Sequence, residues 1–402
     1  MATEFNGVFK SALALLLVAA GVSPAVEPSV SPGGLFRGLS NNILPVSSAE
    51  SDGRMPSSTA GETPAATNLV IGLLLPENEP LSLSVRQGVE LGVENYQGSR
   101  GAAARLVIRG AVGQWGADGV EAARMVTDDG AAGLIAPPSG GASHLALQIA
   151  GRTAVPVISL CGDSSVTRTG VPWTASVTPG TLDEAKTIFC ASPGLNQWAA
   201  YVPEGRRGRE ITSDLKAAAR DSGVFFQGPI EVKWPVLNLS ELCDPARTDG
   251  LQGILLWLDP LPAATMVRRL REAGFHGKLA GPGWLNCKEF ETAAGSGLEG
   301  FMIVSPAGQK SHETRLAEFA LAFRTHFGRE PDAMAAMSYD AAQLLLELLC
   351  RAGDRPPREL FPIEFSTPGV TGVLRFDEFG KRQLELEPQE GQGGHFSCAT
   401  RS

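Results

Sequence analysis

The chain has 402 residues, 43% of them hydrophobic and 19% charged, with 47 glycines. That length exceeds one ordinary domain, and the composition suits a turn-rich globular protein rather than a fibrous or disordered one. A formal net charge of −9 without any run of clustered Lys and Arg speaks against a nucleic-acid partner, because binding phosphate backbones demands concentrated positive charge.

At the N-terminus, Lys10 precedes an apolar run from Ala12 to Val22, and Ser23-Pro24-Ala25 offers the small residues that a signal peptidase reads. The run is too short for a stable membrane anchor, so residues 1–25 are expected to be a signal peptide for export to the periplasm. The first cysteine is Cys161, so no lipid-anchoring cysteine follows the run. Residues 26–67 are rich in Ser, Pro and Gly and lack periodicity, which predicts a disordered linker. No later segment is expected to span a membrane.

From Asn68 onward, short apolar strands alternate with amphipathic helices. Strands are predicted at 69–75, 105–109, 133–136 and 155–160, with helices at 84–96, 119–128 and 144–150. The rhythm restarts with strands at 198–202, 224–232, 253–257, 279–281 and 300–304, and helices at 209–222 and 263–273. Two further helices, 313–327 and 333–351, precede an extended piece at 372–376 and a polar tail over 391–402. This alternation predicts an α/β protein of two doubly wound parallel-sheet lobes, with a ligand cleft outside the carboxyl ends of the strands.

No catalytic signature interrupts the pattern. The sequence contains no Gly-x-Ser-x-Gly elbow, His-Glu-x-x-His, phosphate-binding Gly-Lys-Ser/Thr loop or Cys-x-x-Cys. The histidines 144, 276, 312, 326 and 395 are scattered, with no partner at metal-ligand spacing, so no metal and no cofactor are expected. Six cysteines would enter an oxidising compartment on export, and their pairing is not fixed by spacing. Cys350, within an apolar helical stretch, is expected to be buried.

Several fragments, in order, resemble one family. They are Ile71-Gly-Leu-Leu-Leu-Pro76, Arg86-Gln-Gly-Val-Glu-Leu-Gly-Val-Glu94, Gly133-Leu-Ile-Ala-Pro-Pro-Ser139, Val155-Pro-Val-Ile-Ser159, Arg268-Arg-Leu-Arg-Glu-Ala-Gly274, Phe327-Gly-Arg-Glu-Pro-Asp-Ala333, Ser338-Tyr-Asp-Ala341, and Gly369-Val-Thr-Gly372 with Phe376-Asp377. Together they are similar to the type I periplasmic binding proteins, the branched-chain amino-acid binders of ABC transporters. The resemblance implies two lobes joined by three hinge crossings. Lobe one would comprise 68–177 plus 306–353, and lobe two 178–305 plus 354–390. It also implies a monomer that captures an amino acid or related carboxylate or amide by closing, then delivers it to an ABC-type permease. A sensor of the same fold that signals to a partner, and an enzyme on an α/β sheet, are the competing functions.

The resemblance places ligand contacts in loops after strands. Ser139 and Gly140 would offer a hydroxyl and free amides at a helix start, unless Ser139 is only a helix cap. Gly162, Asp163 and Ser164 follow the next strand, where a turn stabilised by these side chains is the structural alternative. Arg207 stands where an aromatic is usual and would favour an anionic group. Gly283 stands where an acid usually holds the ligand ammonium, so Asp163 is the candidate replacement. Trp257 and Trp284 would pack against an apolar or planar part of the ligand.

Overall fold

The computed structural model describes residues 69–76, 81–100, 103–111, 116–235, 250–307 and 310–398. The expected signal peptide and linker lie outside the described residues.

The first lobe is built around β1 (Leu69–Leu74), α1 (Ser82–Arg100), β2 (Ala104–Arg109), α2 (Ala117–Thr127), β3 (Gly133–Ala136), α3 (Gly140–Thr153), β4 (Val157–Ser159) and β5 (Thr174–Ser176). Its five strands run parallel in the order β2-β1-β3-β4-β5. Both faces are covered, so the strands read as continuous apolar runs instead of alternating ones. Ile71, Leu73, Ile135 and Ile158 face one core, while Leu74, Leu134 and Val157 face another formed with Met125, Ala146 and Ala150.

The second lobe follows with α4 (Thr181–Cys190), β6 (Gln197–Pro203), α5 (Arg206–Asp221), β7 (Phe225–Val232), β8 (Gly253–Leu256), α6 (Pro260–Glu272), β9 (Lys278–Ala280), α7 (Lys288–Ala294) and β10 (Met302–Pro306). Strands β7, β6, β8, β9 and β10 lie parallel in that spatial order. Tyr201, Ile254, Leu256 and Leu279 pack on Met266, Val267 and Leu270 of α6; Trp198, Ala200, Leu255 and Trp257 pack on Ile188 of α4 and Leu215 and Ala218 of α5.

The chain then returns to the first lobe with α8 (Lys310–Phe327) and α9 (Ala333–Ala352). α9 has the length and hydropathy of a membrane span, but its apolar faces are buried in the first lobe's core. The Gly88 and Gly92 positions explain how α1 meets it. A Cβ on Gly88 would lie 2.2 Å from the Ala335 carbonyl oxygen, and one on Gly92 would lie 2.8 Å from the Ala342 Cβ. These glycines, four residues apart on one helix face, let the two helices approach closely.

A two-stranded antiparallel piece follows, β11 (Thr367–Gly369) with β12 (Gly372–Leu374). Here the structure departs from the expected division of the chain. Ile363, Leu374 and Phe376 are buried with β1, β4 and α9, so the segment up to Phe376 packs on the first lobe, not the second. Its anchor is Asp340 of α9, whose buried carboxylate accepts the Val370 and Thr371 N–H groups and the Thr371 hydroxyl.

The expected polar tail is likewise corrected. β13 (Leu386–Gln392) pairs antiparallel with β10, and β14 (His395–Cys398) pairs with β13, extending the second sheet to seven strands. Phe396 stacks on Phe290, with ring centroids 6.1 Å apart and planes within 6°. Burying that aromatic pair orders a segment whose polar composition reads as tail. Cys350 is exposed, contrary to expectation, because it lies on the solvent side of α9. Cys161, Cys190, Cys287 and Cys350 carry thiols and form no disulfide.

Candidate functional site

A cavity of about 50 Å³ lies between the lobes, walled by loops and helix starts that follow strands of both sheets. Pro138 and Gly140 come after β3, Leu160 to Asp163 after β4, and Thr178 and Pro179 after β5. From the second lobe come Thr181 and Glu184 of α4, Arg207, Glu210, Ile211 and Asp214 of α5, and Trp284 after β9. Met334 and Met337 of α9 close the apolar side. The volume holds a few water molecules, so a ligand of amino-acid size requires the lobes to part.

Of the eight expected contacts, Gly140, Gly162, Asp163, Arg207 and Trp284 line this cavity. Ser139 acts as the N-cap of α3, its Oγ accepting the Ala142 N–H at 3.5 Å. Ser164 spends its groups on the opposite lobe. Its hydroxyl donates to Asp214 Oδ1 at 2.6 Å and its N–H to Asp214 Oδ2 at 3.2 Å. Trp257 is fully buried in the second lobe's core and does not reach the cavity; it meets the edge of Trp284, with centroids 6.1 Å apart.

Trp284 has a position no other residue shares among the described core clusters. It packs against the first lobe's core and against both cores of the second, while its indole N–H donates to the Leu258 carbonyl at 3.2 Å. Arg207 does face the cleft, but its guanidinium binds Asp259 Oδ1 at 2.8 Å, which offsets the charge expected to draw an anion.

Asp163 is held by its own turn. Its Oδ1 accepts the Ser165 N–H at 2.9 Å and its Oδ2 the Ser165 hydroxyl at 2.8 Å, with His144 Nε2 3.5 Å away. Burial favours its protonated form, but the hydrogen bonds from His144 and Ser165 outweigh that and hold the carboxyl below its ordinary range. His144, Asp163 and Glu210 also bring one ligand atom each within 4.8 Å of one another. Each already has a polar partner: Ser165 for His144, Ser165 again for Asp163, and Arg206, at 2.6 Å, for Glu210. Spacing along the chain concealed this grouping, because it is assembled from α3, the β4 loop and α5.

Glu184 is the residue that the sequence did not single out. It sits in the first turn of α4, only 2% exposed, with Oε1 accepting the Gly283 N–H at 2.8 Å. Its Oε2 has no hydrogen-bond partner among the described residues. Burial pushes this carboxyl up to about 8. Thus a carboxyl from another element reaches the Gly283 backbone. An acid in a helix's first turn usually complements the dipole at the surface, which is why its sequence position gave no signal.

The solved structures with this fold include a leucine-binding protein from Thermotoga maritima, 18% identical, with a TM-score of 0.72 over 83% of this chain and 98% of that one. A solute-binding protein of an R. palustris ABC transporter, solved with benzoate, is 19% identical, with a TM-score of 0.73 over 83% of this chain and 95% of that one. A branched-chain amino-acid transporter binding protein from Streptococcus pneumoniae, solved with isoleucine, is 17% identical, with a TM-score of 0.70 over 83% and 98%. No curated protein matches the sequence. The sequence profile of the family described as Periplasmic binding protein matches residues 69–361, and with the two-lobed fold this places the chain in the periplasmic binding protein family.

Proposed function

We propose that the chain is an extracytoplasmic solute-binding protein that takes a small polar solute between its lobes, closes on it and presents it to an ABC-type permease. The observation that supports this best is the cleft itself. Side chains following strands of both sheets converge on one small cavity, so a ligand seated there touches both lobes at once. Only contacts made to both lobes together favour the closed arrangement over the open one, which makes closure a consequence of occupancy. The relatives solved with isoleucine and benzoate support a solute of that size. The apolar run at 12–22 supports export.

The function proposed is binding without turnover. The carboxyl groups and the guanidinium that line the cleft each already hold a hydrogen-bond or ion-pair partner within the chain. A panel of amino acids, organic acids, amides and amines, read by thermal shift and small-angle scattering, tests this function. A saturable rise in melting temperature with compaction is the expected result. Conversion of a bound compound to product would overturn it.

A further inference from the structure

The grouping of His144, Asp163 and Glu210 joins the two lobes beside the cavity. His144 lies on α3 and Asp163 in the loop after β4, both in the first lobe, while Glu210 comes from α5 in the second. Gly140 is where they meet. A Cβ on it would lie 2.5 Å from Glu210 Oε2 and 3.1 Å from Asp163 Oδ2, so the bare backbone at the start of α3 lets carboxyl groups of opposite lobes converge. Arg206 holds Glu210 by Oε1, which leaves Oε2 over the glycine. His144 stands one turn further along the same helix, its Nε2 3.5 Å from Asp163 Oδ2. Among the described residues no lysine or arginine pairs with Asp163.

Two carboxylates brought together from separate lobes repel each other, and an imidazole nitrogen reaches the same point. Carboxylates alone would suit calcium or magnesium, whereas imidazole joined to carboxylate suits zinc and its transition-metal neighbours. The spacing agrees. Two ligands each about 2.1 Å from a tetrahedral ion stand about 3.4 Å apart, close to the 3.5 Å between His144 Nε2 and Asp163 Oδ2. All three ligand atoms lie within 4.8 Å of one another, so a shift of about 1 Å by Glu210 completes the fit. We infer that His144, Asp163 and Glu210 form a binding site for a zinc-like divalent cation that clasps the lobes together, with water as the fourth ligand. The Ser165 hydroxyl, 2.9 Å from His144 Nε2 and 2.8 Å from Asp163 Oδ2, bridges the pair without a cation and turns aside when one binds. The imidazole then carries its proton on Nδ1 and offers the lone pair of Nε2.

A site that draws ligands from both lobes is complete only when the lobes are together. The cation therefore has a higher affinity for the closed arrangement than for the open one, and it shifts the population toward closure without any solute. Asp163 and Glu210 also wall the cavity, so metal and solute act on the same motion. The clasp goes beyond solute capture and does not depend on it: the three residues meet in the structure with the cavity empty of any ligand's contribution.

The test is calorimetric titration of the full chain with zinc chloride and with calcium chloride at pH 7, paired with small-angle scattering in each metal. The same measurements are made on His144→Ala, on Glu210→Gln and on His395→Ala, whose exposed imidazole beside Glu291 is the control for casual surface binding. Melting curves without metal establish that each variant is folded. Expected are one zinc per chain at the site, a smaller radius of gyration with zinc, and calcium at least tenfold weaker. Zinc affinity should fall at least tenfold in His144→Ala and in Glu210→Gln and stay unchanged in His395→Ala. Zinc affinity within twofold of the parent in both His144→Ala and Glu210→Gln would overturn the inference, as would calcium binding as tight as zinc. Zinc binding without compaction would overturn the clasp. A zinc clasp in a protein that binds no solute would uphold the inference and count against the solute-binding function alone.

Discussion

Arg382 donates through Nη1 to the Val177 carbonyl at 2.9 Å, and so joins the segment after β5 to the segment before β13. The same guanidinium reaches the Thr371 hydroxyl and carbonyl at 2.8 Å each, and Thr371 in turn donates to Asp340. A charged chain of contacts thus runs from α9, through the β11–β12 turn, into those two segments. Burial lowers the Arg382 guanidinium to about 10 and pushes Asp340 up, yet Arg382 remains charged at neutral pH.

Breaking this chain from one side leaves a buried carboxylate with less compensation. Arg382→Met is expected to cost about 3 kcal/mol or more of unfolding free energy, measured by urea denaturation. A loss below about 1 kcal/mol would show that the pair contributes little to holding those segments together.

The Ser164–Asp214 contact spans the cleft directly, so it is a latch between lobes. Ser164→Ala removes the 2.6 Å hydrogen bond to a carboxylate while leaving the N–H contact possible. Such bonds contribute about 1.5–3 kcal/mol, which shifts the balance of closed to open forms about tenfold or more. Small-angle scattering should report a larger radius of gyration in the variant; an unchanged profile would mean that other contacts hold the lobes.

Glu184 also imposes a pH dependence on folding. Its carboxyl titrates at about 8 in the folded protein against an ordinary 4.5, so the unfolded chain gives up its proton first as pH rises. The stability it supports is therefore complete below about pH 4.5 and is lost progressively up to about pH 8. Glu184→Gln should accordingly gain stability over the parent chain at pH 8 and converge with it near pH 5. Parallel melting curves at every pH would remove Glu184 as the cause.

Thiol chemistry offers a separate check on the packing. Burial raises the Cys287 thiol to about 12, whereas Cys190 and Cys350 are exposed. Iodoacetamide at pH 8, mapped by mass spectrometry, should modify Cys190 and Cys350 under native conditions and reach Cys287 only after unfolding. Early labelling of Cys287 would mean that the region around α7 opens more readily than its burial implies.

Much of the fold is legible in the chain because buried parallel strands leave a strong signature. Leu69 to Leu74, Gly133 to Ala136 and Gly253 to Leu256 are short apolar runs bounded by helices, and each forms where the pattern places it. The fragments that resemble the family turn out to have local physical reasons. Gly88 and Gly92 admit α9, and Asp340 binds the Val370 and Thr371 amides. Shorter or more polar elements are harder to see. β5 has only three residues, and β14, from His395 to Cys398, looks like tail until Phe396 is found on Phe290.

The cleft was legible on the first lobe and poorly on the second. Loops after β3 and β4 announce themselves through Gly140, Gly162 and Asp163, since small and turn-forming residues follow apolar strands. Glu184, Glu210 and Asp214 lie within helices, where acids ordinarily face water, and only the opposing lobe turns them into a wall. Trp257 illustrates the converse: a large aromatic at a strand end suggested contact with a ligand, but neighbouring helices enclose it completely.

The bond from Ser176 N–H to the Gly380 carbonyl, at 2.8 Å, lies beside the Arg382–Val177 bond and fastens the same two segments a second time. Two cords fastened side by side behave like a leaf spring: compliant to bending across its flat, stiff to twisting and to shear. Two such ties side by side leave bending as the easiest motion between the segments they join.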